Sequence, residues 1–94
     1  MPVVRVFLCT YRRPHLLRRA LGSLLAQTFT DWVCELRNDA PDDDAPAEIA
    51  REAADPRVHY VRHASNLGGT ALFNIVFGEH PEPFVSLLED DNWW

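Results

Sequence analysis

Three carboxylates, Glu89-Asp90-Asp91, follow directly on the apolar run Phe84-Val85-Ser86-Leu87-Leu88. In an extended chain side chains alternate, so Glu89 and Asp91 project the same way with Asp90 between them. Carboxylates this close repel one another and call for a cation or hydrogen-bond donors nearby. Hard oxygen ligands suit Mg²⁺ or Mn²⁺, and those ions suit phosphates. A solvated acidic turn has the same composition, so the triplet alone does not decide between the two.

Other groups with chemistry lie at similar places. Asp39 comes just after the apolar segment Trp32 to Leu36. A lone carboxylate there can accept hydrogen bonds from a ribose hydroxyl or a base N–H. Asp42, Asp43 and Asp44 read as turn or helix-capping residues. Tyr11, beside Thr10, offers a ring for stacking. Arg12 and Arg13 stand where a helix begins, and a helix N-terminus favours phosphate. The same arginines also fit a solvated face.

Seven elements would position these groups. Val3 to Cys9 is β-branched and almost continuously apolar, as in a strand covered on both faces. Pro14 suits the first position of a helix, and Leu17, Leu21, Leu24 and Leu25 recur at helical spacing as far as about Gln27. Trp32 to Leu36 reads as a second strand and Asn38 to Asp44 as an acidic loop. Pro46 to Ala54 is helical, ended by Asp55-Pro56. Val58 to Arg62 alternates like a short strand. His63 to Gly69 is a loop, Thr70 to about Gly78 a third helix, and Phe84 to Leu88 a fourth strand. The order β-α-β-α-β-α-β predicts an α/β fold with a mostly parallel sheet, a Rossmann-like arrangement with right-handed crossovers. Ligands of such sheets bind beyond the carboxyl ends of the strands. That rule selects the loops at Thr10 to Arg13, Asn38 to Asp44, His63 to Gly69 and Glu89 to Asn92.

The 94 residues, 47% of them hydrophobic, suffice for one small domain with a packed core. Nine basic residues, all arginine, against 14 acidic ones give a net charge of -5, which argues against nucleic acid as the main partner. Cys9 and Cys34 both sit in apolar runs and read as buried thiols of a reducing compartment. The four histidines show no ligand spacing. With no signal peptide and no run of ~18 apolar residues, the chain reads as cytoplasmic, with a place on the inner face of a membrane left open.

Taken together, "FLCTYRRPHLLRRALGSLLAQTFTDW", "RNDAPDDDAPAEIAREAADPRVHYVRHASNLGG" and "FVSLLEDDNWW" resemble the N-terminal half of family 2 glycosyltransferases of the GT-A fold, along the whole chain. A T-Y-x-R-P turn after the first strand is matched by Thr10, Tyr11, Arg13 and Pro14. The S-x-L-x-Q-T phrase at the end of the following helix is matched by Ser23, Leu25, Gln27 and Thr28. The D-x-D motif after the fourth strand is matched by Glu89-Asp90-Asp91, and Trp94 resembles the Trp that often follows it. The resemblance implies a nucleotide-diphosphate sugar as ligand, a UDP-sugar first among them. It implies that Thr10, Tyr11 and Asp39 hold the base, that Arg13 belongs to the same nucleotide-sugar site and that Asp90 holds the ribose. Asp91, with Glu89, would bind Mn²⁺ or Mg²⁺.

The chain departs from the family pattern in three places. The acidic pair after strand two is Asn38-Asp39, so only the second acid remains. Phe73 stands where N-x-G-x-x-x-A-R-N has its Arg. Residues 1–94 match only the donor-binding half, so the acceptor site and catalytic base are expected elsewhere and the chain alone is expected to be inactive. Trp93 and Trp94, expected to lack packing partners, would favour self-association. The rival reading is a non-catalytic nucleotide- or partner-binding module of the same fold. A receiver-type domain would place its acids after strand one, where Cys9-Thr10 stands. A dinucleotide-binding domain needs G-x-G-x-x-G there.

Overall fold

The computed structural model describes residues 2–92, apart from the side chains at 69, 70 and 73. Trp93 and Trp94, and with them the expected self-association, lie outside the described residues. The elements are β1 (Val4–Thr10), α1 (Pro14–Leu25), β2 (Trp32–Asn38), α2 (Ala45–Ala53), β3 (Val58–Arg62), α3 (Gly68–Val76) and β4 (Phe84–Glu89). This is the order expected from the sequence.

One four-stranded sheet has the order β3-β2-β1-β4, and every pairing in it is parallel. The chain steps outward from β1 to β2 and β3, then returns across β1 to place β4 on its other side. Right-handed crossovers therefore put α1 and α2 on one face and α3 on the other. The gap between the carboxyl ends of β1 and β4 is the point where the winding direction reverses, the preferred ligand position of such sheets.

The two faces differ in chemistry. Val6 and Leu8 of β1, Cys34 and Leu36 of β2, and Leu88 of β4 bury against Leu17, Leu21 and Leu24 of α1 and Ile49 of α2. The opposite face carries Phe7, fully buried and 4.9 Å from the His80 ring. Beside it runs a row of charges. Arg5 donates to Glu82 Oε1 at 2.6 Å and to Glu35 Oε2 at 2.8 Å, and Glu35 pairs in turn with Arg37. Parallel register supplies the spacing, since Phe7 lies opposite Glu35 and Cys9 opposite Arg37.

Several boundaries differ from expectation by one or two residues, and two of them for a clear local reason. β2 runs on to Asn38 because Thr10 pairs with it across the ladder. α3 begins at Gly68, two residues before Thr70, because the Asp39 carboxylate accepts the Leu67 and Gly68 amides at 2.7 and 3.0 Å. A carboxylate at that end satisfies orphan N–H groups and complements the helix dipole. Gly68 has φ +77, a backbone shape that side chains resist. Both cysteines are free thiols, Cys34 buried and Cys9 half-buried. Among the described residues no helix is long and apolar enough to cross a membrane.

Candidate functional site

A cavity of about 400 Å³ opens at the reversal point between β1 and β4. That is within the range of small-molecule sites, roughly 300–1,000 Å³. Its walls include Thr10, Tyr11 and Arg13 from the turn after β1, and Asp39 from the end of β2. Asn66 and Gly68 come from the loop before α3, and Glu89 and Asp90 from the end of β4. Every strand-end loop except the acidic stretch beyond Asp39 thus contributes a wall.

The T-Y-x-R-P turn is built to reach β4. Arg12 has φ 55, so the chain turns sharply before Pro14 opens α1. Arg13 then points across the sheet end to Asp90, which is fully buried. Thr10 Oγ1 donates to Asp90 Oδ2 at 2.9 Å and Arg13 Nε donates to the same oxygen at 3.2 Å. Arg13 Nη2 lies 2.7 Å from Oδ1 as an ion pair, with its N–H directed off that line, so Oδ1 has a charge partner but no hydrogen-bond donor. Thr10 and Asp90 therefore line the cavity while already engaged with each other. Tyr11 does not share this fate, and its ring is 43% exposed with the Arg12 guanidinium 5.2 Å from its centroid.

Glu89 and Asp91 flank Asp90 and both face solvent. Glu89 borders the cavity, and the Asp91 carbonyl accepts from Arg19 at 3.0 Å. Among the described residues no three His, Cys, Asp or Glu side chains converge as a metal cage. Two exposed carboxylates fit a hard divalent cation that takes its remaining oxygens from water and phosphate, as Mg²⁺ habitually does. They do not fit a closed, all-protein site.

Asp39 is only 4% exposed and is held by three donors among the described residues. Besides the two amides at the start of α3, His63 Nδ1 lies 2.7 Å from Oδ1. Burial alone would raise the Asp39 carboxyl, but the His63 hydrogen bond and the Leu67 and Gly68 amides outweigh it and keep it below the ordinary carboxylate range. Asn38, standing where the family pattern has its first acid, makes an Asx-type turn instead. Its Oδ1 accepts the Ala40 amide at 2.9 Å, while its Nδ2 donates to the Asp43 carbonyl and the Tyr60 hydroxyl. Of the acids beyond it, Asp43 accepts the Ala45 amide at the start of α2, and Asp42 and Asp44 pair with Arg12 and Arg62.

His63 lies in the loop His63 to Gly69, but ligand spacing among the histidines does not single it out. His63 follows β3 directly, as Asp39 follows β2, and the strand-end rule alone would have found it.

The parallel sheet with its cavity at the reversal point is a Rossmann-like α/β architecture, and here it is that of the GT-A fold. The family model described as glycosyl transferase family 2 matches residues 5–94, and the chain belongs to that family. It is 23% identical over 94 residues to the Escherichia coli (strain K12) protein described as "Putative colanic acid biosynthesis glycosyl transferase WcaA". That match covers 99% of this chain and 34% of the relative, so the chain spans about a third of the relative's length. Among solved structures, the mannosyltransferase PcManGT of Pyrobaculum calidifontis, in complex with GDP-Man and Mn²⁺, superposes with a TM-score of 0.81 at 19% identity, over 99% of this chain and 28% of that one. S. aureus TarS 1-349 gives 0.79 at 19% identity over the same shares. At that identity the likeness is one of fold.

Proposed function

We propose that this chain is the donor-binding part of a metal-dependent glycosyltransferase that uses a nucleotide-diphosphate sugar. The observation that carries the proposal is one cavity, at the reversal point of the sheet, that gathers Tyr11, Asp39, Asn66, Glu89 and Asp90. The family supports a sugar-transfer chemistry, and the PcManGT complex with GDP-Man and Mn²⁺ supports a nucleotide sugar and a divalent ion as ligands of this fold.

The residues divide the work by what each has free. Tyr11 stacks on the base and Asp39 accepts a base N–H. Asp90, fixed by Thr10 and Arg13, gives the ribose side of the cavity a rigid wall. Glu89 and Asp91 would hold Mn²⁺ or Mg²⁺, which would supply positive charge against the diphosphate leaving group. The acceptor site and the catalytic base lie in other parts of the protein, so this chain by itself transfers no sugar. Cytoplasmic placement, a UDP-type donor and self-association through Trp93 and Trp94 complete the proposal.

A thermal-shift screen of nucleoside diphosphates, with and without Mn²⁺, tests it. A nucleotide that raises the melting temperature only with metal is the expected result. No shift from any nucleotide in either condition, with the chain folded, contradicts it.

A further inference from the structure

The hydrogen bonds around Asp39 leave it one acceptor position, and this decides which base edges it can serve. A carboxylate oxygen offers two lone pairs. Asp39 Oδ1 accepts from His63 Nδ1 and from the Leu67 amide, both at 2.7 Å, and is saturated. Among the described residues Oδ2 accepts only the Gly68 amide, at 3.0 Å, and so keeps one position, and Asp39 borders the cavity.

The donor role of His63 follows from its other side. Arg37 Nη1 lies 3.1 Å from His63 Nε2. A guanidinium can only donate, so Nε2 is the acceptor and the ring proton sits on Nδ1, aimed at Asp39. Arg37 is itself held by Glu35, Glu35 by Arg5, and Arg5 by Glu82. His63 is 6% exposed, so its ring has no free rotation with which to release Asp39.

We propose that His63 is a positioning residue that sets base preference: by occupying Asp39 Oδ1 together with the Leu67 amide, it leaves one acceptor for a base edge with a single N–H. The imide edge of uracil and thymine has one N–H between two carbonyls. The edge of guanine presents two adjacent donors, N1–H and N2–H, which need both oxygens of the carboxylate. With Oδ1 filled, one guanine donor is buried without a partner. This inference rests on the proposal that Asp39 meets the base.

The test is a competition measurement of UDP, dTDP and GDP, with Mn²⁺, on the full chain and on His63→Leu, His63→Asn and Asp39→Ala. The parent is expected to favour UDP or dTDP over GDP by about tenfold or more, the size of one unmade buried hydrogen bond. The tighter of the two identifies the pyrimidine. His63→Leu vacates a position on Oδ1 and narrows the ratio to GDP by about the same factor. His63→Asn keeps an N–H near the place of Nδ1 and retains most of the preference. That rescue separates positioning from loss of fold, with thermal unfolding of each variant recorded alongside. A parent that prefers GDP, or a ratio unmoved in a folded His63→Leu, overturns the role of His63. Unchanged binding of all three nucleotides to Asp39→Ala overturns instead the base contact on which it rests.

Discussion

Arg13 and Asp90 are 77 residues apart in sequence, and the guanidinium of one lies 2.7 Å from the carboxylate of the other. Their contact joins the turn after β1 to the end of β4, the two sides of the reversal point. Asp90 is buried and Arg13 half exposed, so the pair is asymmetric. Removing Arg13 leaves a buried carboxylate with Thr10 as its remaining donor, while removing Asp90 leaves a cation that solvent can reach. Arg13→Ala is therefore expected to cost about 2 kcal/mol, a value reduced from that of a fully buried pair because Arg13 is partly solvated. Adding Asp90→Ala to it is expected to cost less than the sum of the two single changes. Urea unfolding of the three variants, with unchanged slope, measures both effects.

Asp39 gives the fold a defined acid dependence. Its carboxyl is held below the ordinary range, so its contribution is complete above the unfolded-state value of about 3.9 and is lost as pH falls through the folded value. Asp39→Asn turns one acceptor into a donor that faces N–H groups, at a cost of about 2 kcal/mol near pH 7. As pH falls below the unfolded-state value and then through the lower folded one, the parent takes up the proton as well, and the gap between the two proteins is expected to narrow. Urea midpoints of both proteins between pH 7 and pH 3 show whether it does.

The charged row behind the sheet makes a separate prediction. Hydrogen bonding to Arg5 holds the nearly buried Glu82 carboxyl below its usual value. Arg5→Met strands Glu82, leaves Glu35 its pair with Arg37, and is expected to destabilise by about 3 kcal/mol near pH 7. The loss shrinks as pH falls through the ordinary Glu range, because the stranded Glu82 then takes up a proton. A denaturation series against pH reads the slope directly.

Two thiols complete the set. Burial pushes Cys9 up to about 11 and Cys34 up to about 12. At pH 8 a thiol of pKa 11 is about one part in a thousand thiolate. Both are expected to react with a disulfide reagent far more slowly in the native protein than in urea, and a stopped absorbance trace compares the two.

The seven elements were legible in the sequence because each announced its own period. Leu17, Leu21 and Leu24 marked one helix face, and the β-branched run from Val3 marked a central strand. The carboxylates at Asp39 and Glu89 to Asp91 were legible as strand-end residues. What each carboxylate touches was not. Asp90 lines the cavity, but its contacts with Thr10 and Arg13 were not legible, because only the β1–β4 pairing brings those three together. The charges of Arg5, Glu35, Arg37 and Glu82 lay unread for the same reason. They are one or two per segment, and parallel register, not local composition, sets them side by side.

The proposed function turns on Glu89 and Asp91, which would hold a divalent ion that supports binding of a nucleotide diphosphate. Calorimetry of UDP binding in Mn²⁺ and in chelator, on the parent chain and on Asp91→Ala, tests it most directly. The parent is expected to bind UDP more tightly with Mn²⁺ than with chelator, and Asp91→Ala to lose this difference. Without ligand, Asp91→Ala should be slightly more stable than the parent, since one of three repelling charges is gone. General damage to the fold would weaken both properties together, so opposite signs identify a metal site. Equal affinity of the parent for UDP in Mn²⁺ and in chelator would contradict the claim.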